Sequence, residues 1–140
     1  MKRIVICIFF CLSAGLLKAQ TATQADSVVK IGNDEMIFAK VEIESSFPGG
    51  NKGWSVFLGN TLVYPPKAVR KKIEGQVVAR FIVDTDGSLS NIEIVSGPKE
   101  LWPAVLDALK QSPNWKPAFQ HGKKVKSYKQ QPFNFRLESR

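Results

Sequence analysis

The sequence predicts an α+β fold: a three-stranded antiparallel sheet with two helices packed on one face, preceded by an N-terminal extension. Three stretches carry that prediction. Residues 75–95 read as a hairpin, because Val77, Ala79, Phe81 and Val83 fall on alternate positions, the Asp84-Thr85-Asp86-Gly87 cluster supplies a turn, and Ile92 and Ile94 resume the alternation. Leu101, Val105, Ala108 and Leu109 are spaced i, i+4, i+7, i+8, which is one face of a helix. The closing stretch Val125 to Leu137 alternates again, with Phe133, Phe135 and Leu137 on one face. A lone hairpin is not stable in water, so the helix is expected to cover its apolar face.

Taken in order, residues 1–19 read as a secretory signal. Lys2 and Arg3 precede an apolar run from Ile4 to Leu17, and Lys18-Ala19 offers a small residue for cleavage. As a helix the run would span roughly 21 Å, short of a hydrocarbon core of about 30 Å. The periplasm is the expected destination, with an uncleaved signal acting as an inner-membrane anchor as the alternative. Both cysteines, Cys7 and Cys11, lie in this leader, so disulfides are not expected to stabilise the mature chain. The bulky Phe10 before Cys11 argues against lipidation.

Residues 20–61 form the extension. Gln20 to Ser27 is polar; Val28–Ile31 and Met36–Ile43 read as two short strands around Gly32-Asn33-Asp34. Phe47-Pro48-Gly49-Gly50 is a break, after which Asn51 is placed to cap a short helix with Trp54, Phe57 and Leu58 on one face. Aromatic residues at that spacing are expected to pack on the main domain.

The main domain is assigned to residues 62–138. Tyr64-Pro65-Pro66 opens it, and Pro66 suits the first turn of a helix over Lys67 to Ile73. Gly75 would end that helix. Pro103 fits only the first turn of the later helix, and His121-Gly122 marks a turn before the last strand. Pro132 lies inside that strand and cannot donate a ladder hydrogen bond, which predicts a sheet edge. The inferred strand order is second, first, third.

Charge is divided unevenly. Residues 20–61 carry three lysines against five acids, whereas residues 62–140 carry fourteen Lys or Arg against seven acids. Nucleic acid would suit the charge of the basic part, but export argues against it, and no nucleic-acid partner is expected. No Gly-x-Ser-x-Gly elbow is present and His121 stands alone, so neither nucleophilic catalysis nor a metal site is expected, and no cofactor is implied. Asp84-x-Asp86-Gly87 with Glu93 faintly echoes a calcium loop, but its flanks read as strands and a plain turn is the better reading.

Several short motifs, in order and spacing, resemble the TonB C-terminal domain. They are Tyr64-Pro65, Ile73-Glu74-Gly75-Gln76-Val77, Phe81, Asp84-Thr85-Asp86-Gly87, Ser96-Gly97, Leu101, Ala108, Trp115-Lys116-Pro117-Ala118, Gly122-Lys123 and Pro132-Phe133-Asn134-Phe135-Arg136-Leu137. The resemblance covers roughly residues 62–138. It implies a non-enzymatic periplasmic domain that grips the N-terminal peptide of a TonB-dependent outer-membrane receptor as an extra strand beside the last strand. Carried onto this chain, the peptide-binding residues would be Lys124, Val125, Lys126, Ser127, Tyr128, Lys129 and Gln130, with Val63 and Tyr64 as a secondary contact. Val63 stands where some members carry Gln, and only Pro48 lies between residues 20 and 62, where a transducer usually has a long Pro-rich spacer. A different reading of the same basic edge is a structural module that binds cell-wall polymer or forms a homodimer.

Overall fold

The computed structural model describes the backbone of residues 28–30 and all of residues 35–138. The signal reading of residues 1–19 and the Gly32-Asn33-Asp34 turn lie outside the described residues. The hairpin forms as β3 (Gly75–Val83) and β4 (Leu89–Ser96), paired antiparallel. The final strand, β6 (Lys123–Phe135), pairs antiparallel with β3 from Gly75↔Phe135 to Val83↔Ser127. The order β4-β3-β6 is the one expected. Val77, Ala79, Phe81, Val83, Phe133 and Phe135 line the buried face, as their alternation requires.

Three helices close that core. α1 (Gly50–Thr61) contributes the buried Trp54, α2 (Pro66–Arg70) contributes Ala68, and α3 (Trp102–Lys110) contributes Ala104, Val105, Ala108 and Leu109. Pro103 sits in the first turn of α3, where its missing N–H costs nothing. Helix α2 stops earlier than its apolar residues suggested: Lys72 turns left-handed at φ 52, before Gly75 begins β3. Phe47, Trp54, Phe57 and Trp115 form an aromatic cluster with centroid separations of 5.2–5.7 Å.

Two glycines fix these approaches. Gly87 ends the hairpin turn at φ 88, and an added Cβ would lie 2.0 Å from the Trp115 carbonyl oxygen. Its own carbonyl accepts from the Trp115 N–H at 2.7 Å, tying the turn to the segment after α3. Gly53 lets α1 lie against the Pro48 carbonyl, which an added Cβ would meet at 2.2 Å.

The extension changes the topology. β1 (Val28–Lys30) and β2 (Met36–Phe38) pair antiparallel, and β2 then joins β6 in parallel, so the order is β1-β2-β6-β3-β4. β5 (Ala118–Gln120) pairs with the start of β6 through a two-residue turn in which His121 and Gly122 both have positive φ (49° and 73°), the conformation that matches strand twist. Among the described residues the sheet therefore has six strands: the three of the expected sheet, the two expected in the extension, which join it, and the unexpected β5; β6 is flanked on both sides.

Candidate functional site: the outer rim of the last strand

Strand β6 presents one side to β3 and the opposite side to the extension. The expectation of an open edge from Lys124 to Gln130 needs correction over its first half. Lys123 to Val125 pair with β5, and Lys126 and Ser127 face Ile37 and Phe38 of β2. The reason lies in Met36-Ile37-Phe38. Ile37 and Phe38 project to opposite faces of the sheet and both are buried, so this short strand is held from both sides. Among the described residues, no strand is laddered to the outer side of β6 beyond Ser127. Tyr128, Lys129 and Gln130 border a groove of about 510 Å³ there, completed by Ala39, Glu44 and Arg80.

Charge complementarity joins the acidic extension to the basic strand. Lys126 binds Glu35 and, at 2.9 Å, Asp84 at the end of the hairpin strand. Hydrogen bonds to Glu35 and then Asp84 push its ammonium up to about 12. Lys129 reaches Glu44 at 3.3 Å. Glu42 accepts from the His121 N–H at 3.1 Å, while its own N–H donates to Gln120 Oε1 at 2.9 Å. Paired backbone bonds link Ile43 with Phe119 and Ser46 with Lys116. On the outer face, Arg80 donates to Glu93 at 2.6 Å and lies 5.6 Å from the centre of the Tyr128 ring.

The hold of β2 on this rim is weak by magnitude. Burying Ile37 and Phe38 stabilises docking by about 1.5–3 kcal/mol each. Ordering the three backbone units of β2 costs about 1–2 kcal/mol apiece. The Ser127 hydroxyl, at the ladder position shared by Phe38 and Val83, is buried without a hydrogen-bond partner, so the β2–β6 pairing gains no side-chain bond there. These contributions cancel to within a few kcal/mol.

Val63 and Tyr64 are not brought to this rim. Val63 is exposed, and Tyr64 packs edge-on against Phe135 at 5.4 Å while its hydroxyl donates to the Ile73 carbonyl. Phe135 lies five residues past Gln130, roughly 17 Å along the strand at ~3.3 Å per residue. Desolvation, and then the charge of Glu74, push the Tyr64 phenol up. Its hydroxyl bond and ring contact hold the start of the domain to the end of β6.

The acids of the calcium-loop echo are spent separately. Asp84 binds Lys126 and accepts from Ser90, Asp86 accepts from Ser88 at 2.6 Å, and Glu93 takes Arg80. No group of three or more His, Cys, Asp or Glu side chains among the described residues is arranged to hold a metal.

The model of the Gram-negative bacterial TonB protein C-terminal family matches residues 60–137, more than half of the chain. The chain belongs to the TonB C-terminal domain family. Membership supports a TonB-like role in receptor-linked transport and implies a protein of the cell envelope; the family is a non-enzymatic binding and energy-transduction domain. Among solved structures, the C-terminal domain of Pseudomonas aeruginosa TonB is 28% identical over 56% of this chain and 80% of its own, with a TM-score of 0.45. That of Helicobacter pylori TonB is 22% identical over 61% of this chain and 78% of its own, also at 0.45. No curated protein matches the chain. Among the described residues of this TonB-family chain, no helix is long and apolar enough to cross a membrane.

The missed element was β2 as a partner of β6. Its signal was present as the contrast between Glu35, Glu42 and Glu44 in the extension and the cations of the last strand, together with three consecutive apolar residues.

Proposed function

We propose that this chain captures the N-terminal segment of a TonB-dependent outer-membrane receptor in the periplasm, adding it as a strand along the outer rim of β6. The supporting observation is the rim itself: past Ser127 it has no strand neighbour among the described residues, and it borders a groove carrying Arg80, Lys129 and Gln130. Unpaired backbone groups supply the pairing, and the groove side chains supply selectivity. Each backbone hydrogen bond nets about 1 kcal/mol, so pairing alone does not outweigh the ordering of a free peptide at about 1–2 kcal/mol per residue. Contacts with Tyr128, Lys129 and Gln130 must make up the difference, and Pro132 limits how far the added strand runs. Lys124 to Gln130 remain the candidate contacts. The test is titration with a panel of synthetic receptor N-terminal segments from the source bacterium, following backbone amides of residues 124–132. Shifts confined to this strand are expected. No shifts at roughly millimolar peptide would end this reading, since it allows binding no weaker than about −4 kcal/mol.

A second reading is adhesion to anionic cell-wall polymer. Lys67, Arg70, Lys71 and Lys72 are exposed on and just after α2 and make no ion pair among the described residues. Binding to purified sacculi that collapses with added salt while peptide capture persists would favour it.

A further inference from the structure

We propose that β2 is a resident strand occupying the start of the partner's path, so that capture of a partner strand on β6 requires β2 to leave. This regulation rests on the receptor-capture reading above. With β2 in place, the rim open to an incoming strand runs only from Tyr128 to Gln131 before Pro132 closes it. With β2 gone it begins at Lys126 and is half as long again. The extension also holds the side chains that line the path, since Glu35 takes Lys126 and Glu44 takes Lys129. A partner strand must displace these contacts as well as the ladder.

Two features make departure feasible. The β2–β6 ladder spans only Ile37↔Lys126 and Phe38↔Ser127, after which the chain turns off at Ala39. Ser127 carries a buried hydroxyl with no hydrogen-bond partner, so its pairing with Phe38 includes no side-chain hydrogen bond that departure would break. Among the described residues, a strand added instead to the outer side of β1 would meet none of the groove residues. The occupant displacing β2 is an extended polypeptide segment, which alone can replace a ladder with a ladder.

The test uses the full chain in three forms with the same receptor-segment panel. In a Cys7→Ser, Cys11→Ser background, Phe38→Cys with Ser127→Cys places a thiol pair at facing ladder positions, within reach of a disulfide. Oxidised, this form is held closed and is expected to bind at least ~10-fold more weakly than when reduced; Ile37→Asp, which ejects a buried anchor, is expected to bind at least ~10-fold more tightly than the unchanged chain. Recovery of binding on reduction shows that the crosslink and not the substitutions weakens binding, and an amide spectrum of the oxidised form that keeps the β3–β6 signals shows that it is folded. Equal affinity in locked, unchanged and opened chains would overturn the proposal and leave receptor capture standing. A fourth arm adds a synthetic peptide of this chain's residues 35–44. Its binding to the Ile37→Asp chain but not to the locked chain supports the resident-strand proposal even if no receptor segment binds any form, and that outcome would discard receptor capture alone.

Discussion

The two sides of the β3–β6 pair are finished in different ways. On the β3 side, β4 is bound into the fold by backbone geometry: it follows β3 through the Asp84–Gly87 turn, and Gly87 is locked against Trp115. Its ladder shifts register twice and Asn91 turns left-handed at φ 47, irregularities that spoil the outer side of β4 as a template. On the β6 side, the neighbour is a three-residue strand from a separate segment, held by two apolar anchors and ionic contacts. One rim is made irregular by its own backbone, and the other is covered by a short strand whose release is what the resident-strand proposal requires. A sheet can thus guard against aggregation on one side and reserve the opposite side for a partner.

The largest expected effects come from the shared core. Phe133→Ala removes a fully buried ring beneath β6 and is expected to cost about 3–5 kcal/mol in urea unfolding. Breaking the fixed rim comes next: Gly87→Ala, at φ 88 and against the Trp115 carbonyl, is expected to cost about 3 kcal/mol. Ile37→Ala sharpens the contrast. Ile37 is as buried as Phe135, yet global stability is expected to fall by no more than about 1 kcal/mol, because the loss is absorbed by local opening of β2. A fall of the usual 2–5 kcal/mol would make β2 part of the cooperative core.

The two rims are also expected to answer pH in opposite directions. Hydrogen bonds from the Ser88 side chain and N–H, chiefly, hold the Asp86 carboxyl below its ordinary value. The folded value is depressed, so the turn's contribution is present above the unfolded value and is lost as pH falls through the folded one. Lys126 is raised, so its hold on Glu35 and Asp84 is complete below the ordinary lysine value and is lost as pH rises toward about 12. Amide shifts should report acid first at Asp86–Ser88 and alkali first at Met36–Phe38. Asp86→Ala should flatten the acid arm alone, whereas Lys126→Met should flatten the alkaline arm and, because its charge is a minor part of what holds Asp86 down, soften the acid arm slightly, the smallest of these effects.

How much of this was legible in the sequence follows from the same contrast. The β3–β4 hairpin, α3 and the β6 alternation are long enough for period to declare them, and the proline and glycine positions agreed with them. The extension's strands were legible as strands, although the second stops at Phe38, short of the expected Ile43, but not as neighbours of β6. Three residues carry no usable period, and a strand buried on both faces shows no alternation to assign a side. The motif around Tyr64 points toward the partner, whereas its ring and hydroxyl are occupied at the far end of β6. Pro132 predicts an edge, and it lies beyond the residues that β2 pairs with.

The most direct measurement is amide hydrogen exchange of the full chain near neutral pH. The amides joining β2 to β6, at Met36–Phe38 and Lys126–Ser127, should exchange together through a local opening, at least ~10-fold faster than those joining β3 to β6. Equal protection on the two sides of β6 would mean that the outer rim is closed for good.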